Sequence, residues 1–99
     1  MDPETITLGQ VVRQFRKARR LSQETLAYES GVNRTHLSHV ERGVKQLMIP
    51  TLYKLARALD VPASAILESF EKVSGLHPDQ KEWVDLVRQV DHDLEELID

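Results

Sequence analysis

A short run of polar side chains, Arg34 to Arg42, sets the first chemical question. On a helix that turns about 100° per residue, counting from Arg34, Ser38, Arg42, Thr35 and His39 fall at about 40°, 80°, 100° and 140°, whereas Leu37 and Val40 fall at about 300° and 240°. One face is therefore apolar. The other carries hydrogen-bonding groups and neither apolar nor acidic ones, which is what reading the edges of base pairs in a major groove requires. His36, at about 200°, sits at the rim, where base, phosphate or packing roles are all open. Other chemistries fit less well. His36 and His39 are three apart and can share a metal in principle, but the chain has no cysteine and no carboxylate or histidine completes a set on that face, so no metal site is expected. Ser22, Ser38, His39 and Glu41 are the residue types of a hydrolase, yet Ser22 reads as a helix cap, and Ser38 and His39 are neighbours on one helix. With no glycine-rich phosphate loop either, neither an enzyme nor a cofactor is expected.

The elements that must position this face are all helical. Leu8, Val11, Val12 and Phe15 mark a first helix from about Leu8 to Arg19, opened by a Thr7/Gln10 capping box. Ser22 caps a short second helix, and Gly31 follows where its end needs a left-handed residue. Asn33 caps a third, Arg34 to Glu41, that stops at Gly43. Two short helices can cross steeply if the crossing residues are small, which Ala27 and Gly31 provide, while Leu26, Val32, Leu37 and Val40 lock the pair as a helix-turn-helix. Leu52, Leu55, Ala56 and Leu59 mark a fourth helix, and Ala65, Ile66, Leu67 and Phe70 a fifth, with Pro50 and Pro62 near their starts. Residues 72–78 read as a linker, with Gly75 and Pro78 as breakers, between a DNA-binding domain over 1–71 and a sixth helix within 79–99. On that helix Trp83, Leu86, Val87, Val90, Leu94, Leu97 and Ile98 form one apolar stripe, opposite Asp85, Arg88, His92, Glu95 and Glu96.

Net charge is −3, which at first argues against a polyanion as partner. The average hides a division. Residues 1–57 carry ten Lys or Arg against five Asp or Glu, net +5, and residues 58–99 carry three against eleven, net −8. A basic first part suits a phosphate-bearing ligand, and an acidic tail must point away from it or bind something else. The start, Met1-Asp2-Pro3-Glu4, has no signal-peptide pattern and no apolar run exceeds three residues, so a cytoplasmic protein without a membrane partner is expected.

The string Leu21-Ser22-Gln23-Glu24-Thr25-Leu26-Ala27, then Ser30-Gly31-Val32-Asn33-Arg34-Thr35, Leu37-Ser38 and Val40-Glu41-Arg42-Gly43, followed by Leu55-Ala56-Arg57-Ala58-Leu59-Asp60-Val61, resembles the Cro/C1-type (Xre) helix-turn-helix family of phage repressors and restriction–modification controller proteins. The likeness covers about residues 8–71 and implies a compact all-α, five-helix, lambda-repressor-like domain that binds double-stranded operator DNA as a dimer. Carried over, it makes Arg34 and Thr35 the chief base readers, with Ser38, His39 and His36 as further candidates. Guanine O6 and N7 suit Arg34. Gln23 and Asn33 would hold the DNA backbone, joined by Arg42 and Lys45, and Arg16 with Glu41 would form a structural ion pair. Arg13, Lys17, Arg19 and Arg20 are open between phosphate contact and a solvated face.

Two departures stand out. Leu47-Met48 replaces the usual Pro-Ser before the fourth helix, leaving it without a cap and exposing an apolar pair, and Arg20 stands where glycine is common.

Trp83, Val87, Val90, Leu94 and Leu97 follow 4-3-4-3 spacing and are expected to make a homodimer, with packing in the same chain and a different protein partner as alternatives. The reading that follows is a transcriptional repressor on a palindromic operator. Its competitors are an antitoxin whose acidic sixth helix covers a toxin, and an interaction module whose helix-turn-helix no longer binds DNA.

Overall fold

A computed structural model describes residues 6–76 and 81–98, so the acidic start, Pro78 and the expected first residues of the sixth helix lie outside the described residues. Among the described residues six helices follow one another: α1 Leu8–Ala18, α2 Gln23–Ser30, α3 Arg34–Glu41, α4 Ile49–Ala58, α5 Ala63–Ser74 and α6 Lys81–Ile98. No strand occurs among the described residues.

Local chemistry fixes the ends of the first three. Thr7 and Gln10 exchange side-chain and backbone bonds at the start of α1, the Ser22 hydroxyl accepts from the Thr25 amide, and Asn33 Oδ1 accepts from the His36 amide. Gly31 ends α2 at φ +74°. A Cβ there would meet nothing within 4 Å, so its task is the left-handed turn and not, as the crossing suggested, close approach. The start of α4 has no side-chain cap bond. Of the pair before it, Met48 is exposed, but Leu47 packs against the core, which corrects the expectation that both are exposed. α5 runs on to Ser74 and ends at Gly75, φ +71°, so residues 72–74 are helix and not linker.

The core collects Leu26, Leu37, Leu52, Leu55, Leu59 and Ile66, all sealed from solvent, with Val12 and Val40 beside them. Each such large side chain contributes about 1.5–3 kcal/mol by leaving water. α1 packs on α3 and α5, α2 on α3 and α4, and α4 on α5, so α3 is held from two sides. At Gly9 the contact between α1 and α3 is so close that a Cβ would lie 2.0 Å from the Val40 carbonyl oxygen.

Arg20 has φ +58°. Its amide donates to Lys17 O and the Leu21 amide to Arg16 O, the double closure that ends a helix with a left-handed residue. Asp60, also at φ +58°, ends α4 in the same way, its amide bonding Arg57 O and that of Val61 bonding Ala56 O. The Arg19 guanidinium joins the two turns by donating to Leu59 O at 3.0 Å and Asp60 O at 3.2 Å. Arg19 thus serves the fold. Because a side chain with a Cβ is strained at positive φ, Arg20→Gly is expected to raise the unfolding free energy by about 0.5–1 kcal/mol, after the greater freedom of glycine in the unfolded chain is subtracted. Urea denaturation reads the change, and a loss of stability would mean that the arginine side chain makes a compensating contact.

Candidate nucleic-acid interface

Leu37 and Val40 bury one side of α3, and the opposite side faces outward. Gln23, Arg34, Thr35, Ser38 and His39 line a shallow open groove of about 230 Å³ between the start of α2 and the outer face of α3. Five of the residues singled out from the sequence thus meet in one place. Arg34 and Thr35 are exposed, and Ser38 and His39 are half-buried. His36 does not line this groove and is half-buried at the side of the helix.

Arg42 and Lys45 lie beyond the C-terminal end of α3. There Gly43 turns at φ +78°, and the Val44 and Lys45 amides both bond His39 O, folding the exposed loop back onto the helix end. Neither Arg42 nor Lys45 lines the groove.

A buried network sets the pose of α3. Arg16 Nε and Nη2 donate to Glu41 Oε2 and Oε1, each at 2.8 Å, and Arg16 Nη1 donates to Leu21 O at 2.8 Å. The fork-to-fork geometry is the strong form of this pair. Glu41 is only 1% exposed, so the carboxylate is fully desolvated and relies on these partners. Gln23 Nε2 adds a third bond, 3.0 Å to Glu41 Oε1. Gln23 and Asn33 are therefore engaged by the fold through one end of their amides while standing at the N-termini of α2 and α3. Helix starts present unpaired N–H groups, and so suit phosphate oxygens.

Two residues that the sequence reading passed over belong to this region. Glu24, in the first turn of α2, places Oε1 3.7 Å from Arg34 Nη1, both side chains being exposed. Such a pair contributes little, about 0–1 kcal/mol, and its guanidinium is easily exchanged to another acceptor. Gly9 is the second. At about 100° per residue it shares the Arg16 face of α1, and a glycine on that face was the available signal.

The helix-turn-helix family HTH_3 matches residues 12–66, more than half of the chain. The chain belongs to this helix-turn-helix family. Among its relatives, Control protein C.BamHI of Bacillus amyloliquefaciens is 36% identical over 64 residues, 64% of this chain and 79% of that one. The crystal structure of the restriction–modification controller protein C.AhdI from Aeromonas hydrophila matches with TM-score 0.58 and 40% identity, covering 66% of this chain and 96% of that one. The C.Esp1396I controller tetramer in complex with its natural 35 base-pair operator matches with TM-score 0.64 and 28% identity, covering 73% and 92%. The family is one of DNA-binding transcriptional regulators, and the match ends before α6 begins.

In this family member α6 presents an exposed stripe. Leu86, Val87, Val90, Leu94, Leu97 and Ile98 are all open to solvent, and Trp83, partly so, lines an open hollow together with Ser64, Leu67, Glu68 and Glu71 of α5. No helix among the described residues is long and apolar enough to cross a membrane, and none of their His, Asp and Glu side chains cluster as a metal site.

Proposed function

We propose that the protein is a sequence-specific repressor that binds a palindromic operator as a homodimer and acts by occluding RNA polymerase. The observation that carries this reading is the groove in which Arg34, Thr35, Ser38 and His39 converge on the outer face of a helix whose other face is locked into the core. Two such helices about 34 Å apart in a dimer read half-sites about one helical turn apart. The relative solved in complex with its operator supports DNA as the ligand. Arg34 and Thr35 read base edges, with Ser38, His39 and His36 in lesser roles. Gln23, Asn33, Arg42 and Lys45 hold phosphates, and Trp83, Val87, Val90, Leu94 and Leu97 supply the dimer contact.

Sites selected from random DNA define the operator for the test. Arg34→Ala is expected to weaken operator binding by about 1–3 kcal/mol and to relax preference at one base pair, whereas Lys45→Ala lowers affinity for all sequences and flattens the salt dependence by about one ion. Equal loss on random DNA for Arg34→Ala would make Arg34 a phosphate contact. Failure to bind any DNA at low salt would favour the interaction-module reading.

A further inference from the structure

On the far side of α5 from Trp83 lies a groove of about 380 Å³ between α1 and α5, with Ile6, Val11, Phe15 and Val73 as its apolar lining and Arg13 at its edge. On α5, Ser69 and Val73 of this groove stand about half a turn away from Ser64, Leu67, Glu68 and Glu71, which line the hollow with Trp83. The start of the chain's own α6 thus lies on the other side of α5 from this groove. α6 itself has the complementary make-up. Its apolar stripe is bordered on one side by Asp91 and on the other by Asp93, and its described charged side chains number five acids against one base, Arg88. α1 supplies the opposite sign along the groove with Arg13 and, one turn on, Lys17, both exposed. Two α6 helices laid side by side would instead bring four aspartates to one seam with no basic residue on either border, which like-charge repulsion disfavours.

We propose that the apolar stripe of α6 seats in the α1–α5 groove of a second copy of this chain, Leu86, Val87, Val90 and Leu94 entering the groove and Asp91 or Asp93 meeting Arg13. The exchange is reciprocal, closes with two-fold symmetry and buries both surfaces that a single copy leaves open. It rests on the homodimer reading above and names the surface that receives the helix.

Sedimentation velocity of the full chain over a range of concentrations tests it, with Leu94→Asp on the helix and Val73→Lys in the groove. Both positions are exposed, at 50% and 46%, so the body keeps its fold, which thermal melts verify. Each variant alone is expected to raise the dimer Kd at least 30-fold. An equimolar mixture of the two regains a dimer of intermediate Kd, because one of its two contacts pairs an unaltered helix with an unaltered groove. If Leu94→Asp is monomeric while Val73→Lys dimerises as the parent does, or if mixing restores nothing, the groove is not the receptor and the homodimer reading stands. Loss of the dimer by Val73→Lys while Leu94→Asp dimerises as the parent does also overturns the exchange, since it leaves α6 outside the contact. A monomeric parent overturns the homodimer reading on which the proposal rests, whereas two variants that both dimerise as the parent does overturn the exchange and the α6 contact and leave the homodimer standing.

Discussion

Glu41→Ala is expected to lower the unfolding free energy by about 3–5 kcal/mol, a large share of the 5–15 kcal/mol typical of a small domain. The size follows from what is left behind. Arg16 loses both carboxylate bonds at 2.8 Å while its side chain stays about nine-tenths buried, and Gln23 loses its acceptor at 3.0 Å. A buried cation without its counter-charge is costlier than the intact pair is favourable, so the double substitution Arg16→Met with Glu41→Leu should recover most of the loss. Urea denaturation of the three proteins separates the two effects. A single-variant loss below about 1 kcal/mol, the range of exposed pairs, would show that the network is not desolvated in solution.

The second large effect belongs to Gly9→Ala, a change that in an ordinary helix interior would stabilise by about 1 kcal/mol. Here the added methyl meets the Val40 carbonyl oxygen at 2.0 Å and its Cγ1 at 2.7 Å, so α1 and α3 must move apart. Backbone cannot yield as a flexible side chain does, and a net loss of about 1–3 kcal/mol is expected. Because α3 carries the proposed base readers, operator affinity should fall about tenfold more than affinity for random DNA. Calorimetric melting together with paired binding titrations decides it. A variant as stable as the parent with unchanged operator affinity would mean that the helices are not in this contact.

Much of this was legible in the sequence, for identifiable reasons. The capping residues Thr7, Ser22 and Asn33 each act on the amide three positions away, and the bounds of α3 followed from such local rules. Leu37 and Val40 declared its buried face by helical spacing alone. What escaped were contacts between segments far apart in the chain. Nothing near Arg19 announces that it will bond carbonyls 40 and 41 positions on, and nothing near Gln23 announces Glu41 as its acceptor. Gly31 was read both as the left-handed end of α2 and as a spacer at the crossing, and only the first reading holds, while Gly9 was passed over when spacing was the reason for it. The run of α5 to Ser74 was missed because Lys72 and Val73 are unremarkable helix formers and only Gly75 stops them.

The bonds from Arg19 to Leu59 and Asp60 have a kinetic meaning as well. They close a ring of about forty residues that contains α2, α3 and α4, and the Arg16–Glu41 pair closes a smaller ring that overlaps it and contains α2 and α3. Opening α3 by itself would break the Arg16–Glu41 closure and expose Leu37 and Val40 while the Arg19 closure still held the ends of the segment, so little entropy is gained in return. The amides of α3 should therefore exchange with solvent hydrogen only when the whole domain opens. The helix that carries the proposed base readers should then belong to the slowest-exchanging part of the molecule.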